Sequence, residues 1–351
     1  MVRFLLVILV LSALMFAYPV WRITGWLDLP DVIRVAVTVP AFFSQVFARF
    51  ALRKRKGMVA YVLRGAADLF LGLAPVLLFA VFGAELALLL VDLPTAAVGW
   101  TVILVVILAL VWGLATAWRP KVVKVELKTN KLSKALRFVQ ISDVHIGSRS
   151  KRFLDRVMGQ VAALNPDFLC ITGDFIDQSG ISVDTLSALR KLDAPIYFCT
   201  GNHEYYEDIN NILMNLRTLG VEVLDNRVVY HGEAQIIGID DKSDPSQVER
   251  VLPTLPLQSG FYSILLYHRP HGIESAAKHG VDLKLSGHTH KGQIKPFDFF
   301  VRRVFKRYAG LYRHEDAFLY VNQGTGTWGP TLRLGTISEI TLFQVEPYAV
   351  P

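Results

Sequence analysis

Gly287-His288-Thr289-His290, preceded by the apolar run from Val281 to Ser286, is the stretch that decides the fold of this 351-residue chain. A short apolar run that ends at a cluster of polar ligand types is typical of a buried strand that delivers its next residues to a site. The same arrangement recurs upstream. The other clusters are Asp143-Val144-His145, Gly173-Asp174, Gly201-Asn202-His203-Glu204 and the single His268. We therefore expect all of them at the carboxyl ends of strands in an open α/β sheet.

Outward from these clusters, runs rich in Val, Ile and Phe alternate with helical patterns, which is typical of βαβ layering. Phe153, Val157 and Val161 recur at helical spacing, and this pattern stops at Asn165-Pro166. The predicted strands are Leu136 to Ser142, Phe168 to Thr172, Ile196 to Thr200, Tyr262 to Tyr267 and Val281 to Ser286, with Ala317 to Val321 and Ile337 to Val345 completing a second sheet. The pattern predicts an α/β fold.

The apolar fraction of 52% is high for a soluble protein, and the excess lies at one end. Residues 1–120 hold 10 basic and 5 acidic side chains, whereas residues 121–351 hold 27 and 25. A nearly neutral second part argues against nucleic acid as a partner, because such binders need a concentrated basic surface. Cys170 and Cys199 each end an apolar run, which predicts buried, reduced thiols and not a disulfide framework.

Four stretches are long and apolar enough to cross a bilayer. They are about Phe4 to Trp21, Val32 to Leu52, Leu69 to Leu93 and Ala96 to Trp118. The second contains Arg34, Pro40 and Arg49, so an interfacial or buried helix is an alternative for it. The first is interpreted as a retained anchor, because Met15-Phe16-Ala17 lacks the small residue expected at a signal-peptide cleavage site.

We predict three regions: a transmembrane helical anchor over residues 1–120, a basic linker over 121–135 and a catalytic domain over 136–351. The orientation follows from the distribution of basic residues, since cytoplasmic loops carry the excess of Lys and Arg. Arg53-Lys54-Arg55-Lys56 fills the second loop, and Arg119, Lys121 and Lys124 follow the fourth span. Four spans place both basic regions, both chain ends and the catalytic domain on the cytoplasmic side of the plasma or inner membrane.

Of the nine histidines, five fall in the strand-end clusters and none lies in the first 120 residues. The five are His145, His203, His268, His288 and His290. Carboxylates can bridge two cations, imidazoles are neutral donors, and an amide oxygen adds no charge, so this mixture predicts a centre with two divalent metal ions. The absence of thiolate ligands favours Mn, Zn, Fe or Co over a pure Mg or Ca cage. Two adjacent cations suit the hydrolysis of phosphate esters, whose charge is spread over several oxygens.

The ordered set Asp-x-His, Gly-Asp, Gly-Asn-His-Glu, His and Gly-His-x-His resembles the calcineurin-like metallophosphoesterase family over about residues 136 to 346. The resemblance implies a sandwich of two mixed β-sheets flanked by helices. The stretch from Ser286 to Gln293, with residues 322–326 and Arg333, is similar to the membrane-associated bacterial branch, which includes UDP-2,3-diacylglucosamine pyrophosphatases and envelope phosphodiesterases. Lys291 departs from that branch, which usually has glycine at this position. The resemblance therefore does not determine the conformation of this loop or the charge beside the site.

The resemblance also implies a role for each ligand. Asp143, His145, Asp174 and His290 would surround one metal. Asn202, His268 and His288 would hold the other together with Asp174, which is shared. Metals about 4 Å apart would share a water and lower its pKa, which produces the attacking hydroxide near neutral pH.

Three further residues are expected to act beside the ligands, and for two of them the sequence leaves alternative roles. His203 is the family's histidine that is not a ligand, placed to protonate the departing oxygen or to stabilise the transition state. Glu204 would orient His203 through a carboxylate to imidazole hydrogen bond, and a surface carboxylate is the alternative. Asp177 is expected either to support a ligand or to cap its loop.

A basic aromatic segment follows the last ligands. Phe297, Phe300, Val301, Val304, Phe305 and Tyr308 recur at helical spacing, with Arg302, Arg303, Lys306 and Arg307 between them. One interpretation is a helix on the cytoplasmic leaflet that, with Lys291 and Lys295, guides an anionic lipid head group, which makes Lys291, Arg302 and Arg303 candidate substrate-binding residues. The other is a core-facing helix with a solvated basic face.

The predicted function is a membrane-anchored phosphohydrolase that cleaves a phosphodiester or pyrophosphate bond in a lipid-linked or envelope-related substrate. A soluble nucleotide or generic phosphodiester is an alternative substrate, with the anchor serving only localisation. A scaffold without catalysis is a further alternative, although every ligand position is filled. A transporter is disfavoured, because Arg34, Asp68 and Glu85 are too few to line a path through the spans.

Overall fold

A computed structural model describes residues 2–52 and 57–348, which fall into two compact units. The first unit contains Met1–Ala115 and Gly329–Leu334, and the second contains Thr116–Trp328 and Gly335–Pro351. The basic stretch Arg53-Lys54-Arg55-Lys56, on which the predicted orientation partly depends, lies outside the described residues.

The first unit is helical. Its helices are α1 (Val2–Ser12), α2 (Tyr18–Trp26), α3 (Asp31–Val46), α4 (Met58–Leu90) and α5 (Thr95–Trp118), with wider π-type turns at Ala13–Ala17 and Phe47–Ala51. Within the described residues, four stretches are long and apolar enough to cross a bilayer, which agrees with the sequence prediction. The third begins at Met58 and not at Leu69, because Arg64 and Asp68 are accommodated within a continuous helix.

Several charged side chains in these helices have polar partners within the unit. Arg22 of α2 donates two hydrogen bonds to the Glu85 carboxylate of α4 and Tyr18 donates a third, at 3.2 Å. Arg49 pairs with Asp68 at 2.6 Å. Charged side chains that pair with each other between helices stabilise the bundle and need no transported ion or substrate to explain them. This pairing further weakens the transporter interpretation.

In the part of the second unit that the structure describes, the polar clusters lie on twelve strands and several short helices. The strands are β1 (Lys121–Thr129), β2 (Leu136–Ile141), β3 (Phe168–Thr172), β4 (Ile196–Cys199), β5 (Val221–Val223), β6 (Arg227–His231), β7 (Ala234–Gly238), β8 (Tyr262–Leu266), β9 (Leu283–Ser286), β10 (Gly310–His314), β11 (Ala317–Val321) and β12 (Glu339–Pro347). The helices are α6 (Lys151–Ala163), α7 (Asn202–Tyr206), α8 (Ile209–Thr218), α9 (Gln247–Val251), α10 (Ile273–Lys278) and α11 (Asp298–Val304), with 3-10 turns at Ser187–Lys191, Leu252–Thr254 and His290–Gly292.

The strands form two six-stranded mixed sheets, as the resemblance implied. The first has the order β1-β12-β2-β3-β4-β5 and the second β10-β11-β9-β8-β7-β6. Within each sheet, four neighbouring strands run parallel, β2 to β5 in one and β11-β9-β8-β7 in the other. The carboxyl ends of these parallel strands carry the predicted ligands, which is where open α/β sheets place their sites.

Two predictions about the sheet edges are wrong. The C-terminal strand β12 was expected in the second sheet, but it lies in the first, parallel to β1 and antiparallel to β2, with Thr341 opposite Gln140. Residues 121–135 were expected to form a linker, but Lys121–Thr129 is the strand β1 and pairs with β12 along its whole length. Both errors have one cause. The strands β1 and β12 are distant in sequence, and each provides the other's hydrogen-bond partners, so neither pairing can be found from a local pattern.

The core between the sheets is apolar and rich in aromatic side chains. Phe138 stacks between Phe168 and Phe343, with ring centroids 4.9 and 4.8 Å apart, and Ile236 and Leu285 of the second sheet join the same cluster. Each of these side chains is fully buried, which contributes about 1.5–3 kcal/mol apiece in transfer from water. Two further apolar clusters cover the outer faces, one beneath α6 and α8 and one beneath α9 and α10. This packing gives the loops at the strand ends a rigid base.

Candidate metal centre

Each predicted ligand lies in a loop directly after a parallel strand. Asp143 and His145 follow β2, Asp174 follows β3, and Asn202 begins α7 after β4. His268 follows β8, and His288 and His290 follow β9. The ligands therefore come from both sheets and converge where the carboxyl ends of the two parallel sets meet.

The first group of ligand atoms comprises Asp143, His145 and His290. One ligand atom from each lies within 4.8 Å of the others, and all three residues are buried. His145 Nε2 is 3.1 Å from His290 Nε2, which in turn is 3.3 Å from Asp143 Oδ1. Two imidazole nitrogens and a carboxylate oxygen that point at one another can hold a divalent cation.

The second group comprises Asp174, His268 and His288, whose ligand atoms also lie within 4.8 Å of one another. His268 Nε2 is 3.1 Å from Asp174 Oδ2 and 3.1 Å from His288 Nδ1. The opposite nitrogen of His268, Nδ1, donates to the Thr172 carbonyl oxygen at 2.8 Å, which leaves Nε2 as the ligand atom. Two groups of three ligands thus stand beside each other, as two metal ions would require.

Asn202 provides the test of whether these residues fit a metal. Its Oδ1 atom is buried and has no hydrogen-bond partner among the described residues. A buried amide oxygen without a donor costs about 1–3 kcal/mol, which coordination to a cation would remove. The pairs of imidazole nitrogens at 3.1 Å support the same conclusion, because two lone pairs at that distance repel unless a proton or a metal lies between them.

The ligand loops are held in a strained backbone conformation. Asp143, His145, Asp174, His288 and His290 all have φ between 48° and 74°, in the left-handed region that side chains with a Cβ rarely adopt. Neighbouring glycines make this packing possible. A Cβ atom on Gly287 would lie 1.9 Å from Ser142 Oγ and 2.2 Å from Asp143 Oδ2. Strained residues of this kind cluster at functional sites.

Charges in the two groups shift the pKa values of the ligands. Burial raises the pKa of Asp143, and the negative charge of Asp174 adds to the rise. Burial opposes ionisation of Asp174 as well, but His268 lowers the pKa of this carboxyl well below its usual range. Burial disfavours protonated His268, yet Asp174 raises its pKa to about 10, and burial beside His268 lowers the pKa of His288. The carboxylates thus attract positive charge, which a divalent cation supplies when neutral imidazoles act as ligands.

Asp177 closes its loop, which was one of its two alternative predicted roles, and its carboxylate also lies near the ring of His145. Its Oδ2 lies 3.3 Å from His145 Nδ1, on the side of the ring opposite the ligand atom. The same carboxylate accepts hydrogen bonds from the backbone N–H and the hydroxyl of Ser148, which closes the loop after β2. A carboxylate behind a ligand histidine selects its tautomer and increases its basicity.

Glu204 is neither the partner of His203 nor the surface carboxylate that the two alternative predictions described. It is fully buried, so it is not a surface carboxylate, and its recorded hydrogen bonds go to backbone amides and not to the imidazole of His203. The donors are the N–H groups of Asp174, Phe175, Ile176 and Gly201, at 2.7–3.0 Å. Glu204 therefore joins the loop after β3 to the loop after β4.

His203 lies beside the ligands and is partly exposed. Its Nε2 is 4.0 Å from Asp174 Oδ2, and its ring packs edge-on against His145 at 4.8 Å. Two exposed aromatic side chains flank it, Tyr206 at 5.4 Å and Trp328 at 6.1 Å between ring centroids. Sequence reasoning missed this aromatic pair, because Trp328 is distant from the motifs and has no periodic pattern.

Arg269 was also missed, although it directly follows His268. Its Nε donates to both carboxylate oxygens of the fully buried Asp241, at 2.9 and 2.7 Å, and its Nη2 donates to Ser243 Oγ at 3.0 Å. Its Nη1 lies 3.4 Å from His288 Nε2. The guanidinium is therefore held against the second ligand group, and the sequence signal was its position next to a ligand.

The three predicted substrate-binding residues lie in and after the last ligand loop. Lys291 adopts φ 51° and ψ 30°, so the loop keeps a left-handed conformation at the position where the resembling branch usually has glycine. Arg302 and Arg303 are exposed on α11. The Arg302 guanidinium lies over the Tyr308 ring, and that of Arg303 lies 4.1 Å over the Phe299 ring.

Comparisons with known proteins agree with this geometry. A model of calcineurin-like phosphoesterases matches residues 136–292. An uncharacterized metallophosphoesterase of Aquifex aeolicus is 32% identical over 245 residues, which cover 64% of this chain and 92% of that protein. One from Helicobacter pylori strain ATCC 700392 / 26695 is 34% identical over 241 residues, with 65% of each chain covered. A transmembrane protein with metallophosphoesterase domain from Danio rerio is 35% identical over 278 residues, covering 69% of this chain and 61% of that one.

The chain spans just under two thirds of the length of the Helicobacter pylori relative and about three fifths of the Danio rerio relative. Among solved structures, a phosphopantetheinyl hydrolase from Mycobacterium tuberculosis is similar over 54% of this chain and 89% of its own, with a TM-score of 0.33 and 13% identity.

Proposed function

This chain belongs to the calcineurin-like phosphoesterase family, and we propose on that premise that it is a membrane-anchored, metal-dependent phosphohydrolase. The proposed reaction is hydrolysis of a phosphodiester or pyrophosphate bond in a lipid-linked or envelope-related substrate. The proposed location is the plasma or inner membrane, with the second unit facing the cytoplasm.

One observation carries this proposal: the two adjacent groups of ligand atoms. Asp143, His145 and His290 would hold one divalent ion, and Asp174, His268 and His288 would hold the other, with the Asn202 amide oxygen as a further ligand. Two bound cations would neutralise the phosphate oxygens and activate a water for attack. The metal could be Mn, Zn, Fe or Co, all of which accept imidazole and carboxylate ligands.

The chain's own residues would position the substrate and handle the proton. His203 is the partly exposed imidazole next to both groups, so we propose that it donates a hydrogen bond to the departing oxygen. Arg269, held by Asp241, would place a fixed positive charge at the second group, where a phosphate oxygen can meet it. Asp177 would hold the His145 ring in the orientation of a ligand.

Four apolar helices support the lipid-linked substrate, because a chain anchored in a bilayer meets lipids at high local concentration. Relatives described as transmembrane proteins with a metallophosphoesterase domain support the anchored arrangement. A scaffold without catalysis is disfavoured, since all seven proposed ligand positions carry metal-binding side chains.

A soluble nucleotide is the second candidate substrate, and the aromatic pair beside His203 favours it. Tyr206 and Trp328 present exposed rings on either side of the proposed hydrogen-bond donor. A planar base on the leaving group could stack on such rings, which stabilises nucleic-acid bases by about 1–3 kcal/mol each.

The test is hydrolysis of bis(p-nitrophenyl) phosphate by the purified full chain, with Mn²⁺, Zn²⁺, Fe²⁺ or Co²⁺ added in turn. We expect metal-stimulated turnover that Asp174→Asn and His203→Ala abolish or reduce by about 10²–10⁴-fold. His314→Ala is the matched control, because His314 lies on β10 outside both groups. No turnover with any metal would contradict the proposal.

The substrate class needs a second measurement. Lipids and soluble nucleotides extracted from cells with and without the gene should be compared by mass spectrometry. Accumulation of a phospholipid-like or nucleotide-linked lipid supports the first candidate, whereas accumulation of a soluble nucleotide alone supports the second.

A further inference from the structure

The segment that follows the last ligand loop exposes large apolar side chains. We define residues 297–308 as the apolar-basic segment, which contains the helix α11. The exposed fractions are 51% for Phe299, 59% for Phe300 and 71% for Val304. Only Asp298 of this helix is buried, so a core-facing helix, one of the two sequence interpretations, is wrong. Neighbouring exposed aromatic and aliphatic side chains mark a surface that binds something apolar.

Basic side chains accompany these apolar ones. Arg302, Arg303 and Lys306 are all exposed, and the Arg303 guanidinium covers the Phe299 ring at 4.1 Å. Asp298 is the acidic residue of the segment and pairs with Arg302 at 3.2 Å. Arg307 pairs with Glu274 of α10 at 2.8 Å, which leaves Arg303 and Lys306 as the basic side chains of the segment that pair with no carboxylate among the described residues. Exposed aromatic rings beside uncompensated Arg and Lys are the composition that lies in the head-group region of anionic bilayers.

The segment is joined to the metal-ligand loop at both ends. A Cβ atom on Gly292 would lie 2.5 Å from the backbone nitrogen of Asp298, so the start of α11 packs tightly on this loop. Thr289 Oγ1 donates to the Tyr308 carbonyl oxygen at 2.6 Å, and the Phe305 ring contacts the His288 ring at 5.4 Å. Whatever the segment binds is therefore brought next to His288 and His290.

We propose that the apolar-basic segment docks on the surface of an anionic lipid bilayer, with Phe299, Phe300 and Val304 inserted among the head groups. The bilayer is preferred over a protein partner because the positive charges match an anionic surface and the same chain carries four apolar helices. Docking would place the ligand loop at the lipid surface. The docking proposal depends on the exposure and charge of the segment and not on the proposed hydrolysis. A chain without hydrolytic activity would therefore still dock.

The test uses the full chain reconstituted in vesicles, with an environment-sensitive fluorophore at Val304→Cys and doxyl-labelled lipids as quenchers. Met214→Cys is the matched control, since Met214 is an apolar helix residue of the same unit with 56% exposure. The native Cys170 and Cys199 are buried and should not react. Vesicles of phosphatidylcholine alone are compared with vesicles that also contain phosphatidylglycerol.

We expect strong quenching at position 304 in phosphatidylglycerol vesicles and little at position 214. Neutralising Arg303 by Gln should weaken the docking equilibrium by about fivefold. Phe299→Ser with Phe300→Ser should lower quenching while leaving the thermal midpoint unchanged, because both rings are exposed. The proposal would be overturned if quenching at position 304 did not exceed quenching at position 214. It would also be overturned if a protein partner, and not the lipid, covered the label at position 304.

Discussion

Replacing Glu204 by Gln should loosen the metal centre without removing any ligand. The Glu204 carboxylate accepts four backbone N–H groups, Asp174 and Gly201 on Oε2 and Phe175 and Ile176 on Oε1. Gln retains one oxygen, which can accept two of these bonds. Its NH2 group is itself a donor and would face the other two amides.

The magnitude follows from those two amides. A buried donor that loses its acceptor costs about 1–3 kcal/mol, so we expect the substitution to destabilise the second unit by about 2–6 kcal/mol. For a domain of this size, each kcal/mol lowers the thermal midpoint by about 2–4 °C, which predicts a decrease on the order of 10 °C. The affinity for metal should also fall, by about 10–100-fold, because the loops that carry Asp174 and Asn202 are no longer joined.

The assay is thermal unfolding of the full chain in detergent, followed by a titration with Mn²⁺. Glu233→Gln is the matched control, because Glu233 also accepts a backbone N–H, that of Ser133 at 2.7 Å, but in solvent. If Glu204→Gln unfolds at the same temperature as Glu233→Gln and binds Mn²⁺ as tightly as the unchanged chain, the carboxylate does not hold the two loops together.

Three other substitutions test separate parts of the structure. Asp177→Asn should weaken metal binding about 10–100-fold in a calorimetric titration, because the carboxylate behind His145 is lost; unchanged affinity would show that Asp177 only closes its loop. Gly287→Ala should destabilise the chain by more than about 1 kcal/mol in a denaturant titration, since the new Cβ would lie 1.9 Å from Ser142 Oγ, and a stable variant would refute the close approach. Burial lowers the pKa of Lys284 to about 7, below its value of 10.5 in the unfolded chain, so the unfolded state binds more protons between these pH values. This difference makes the Lys284 contribution to the free energy of unfolding rise with pH from about 7 to 10, whereas His268, whose pKa is raised to about 10, contributes in the opposite direction over most of that range. Lys284→Met should therefore make the slope of the free energy of unfolding against pH more negative, by up to about 1.4 kcal/mol per pH unit; an equal slope in both proteins would contradict this assignment.

The parts of the fold that sequence reasoning predicted are those encoded locally. Apolar runs before each ligand cluster became β2, β3, β4, β8 and β9, with bounds close to the prediction. The strands β5, β6 and β10 were missed because they are short or half-exposed, and β7 was missed although it is fully buried, because no ligand motif follows it. The sheet assignment of β12 was wrong for another reason, since strand pairing between distant residues leaves no local pattern.

The candidate site divides in the same way. Residue types and their order were sufficient to select side chains that the structure brings together in the two groups around Asp143 and Asp174, where they could hold metal ions. The partners of Glu204 could not be found, because backbone amides are the same at every position of the sequence. Helical periodicity predicted a helix that reaches Tyr308, but α11 ends at Val304, so Phe305 and Tyr308 lie beyond it. Periodicity also does not say whether the apolar side chains of a helix meet a core or a bilayer.

Strain in the candidate ligand loops would give bound metals a structural role beyond chemistry. Each left-handed residue with a Cβ costs about 1–2 kcal/mol, and five of the proposed ligands adopt that conformation. When the imidazoles are neutral, their lone pairs and the carboxylate oxygens held close together also repel one another, and a proton or a cation between them relieves this repulsion. The rigid core beneath the loops, stacked around Phe138, must therefore hold this arrangement until cations bind. We expect metal binding to raise the thermal midpoint of the chain, and at a metal concentration of about one hundred times Kd the stabilisation should be about 2.7 kcal/mol. A midpoint that does not respond to Mn²⁺, Zn²⁺, Fe²⁺ or Co²⁺ would mean that the strained loops serve something other than a metal centre.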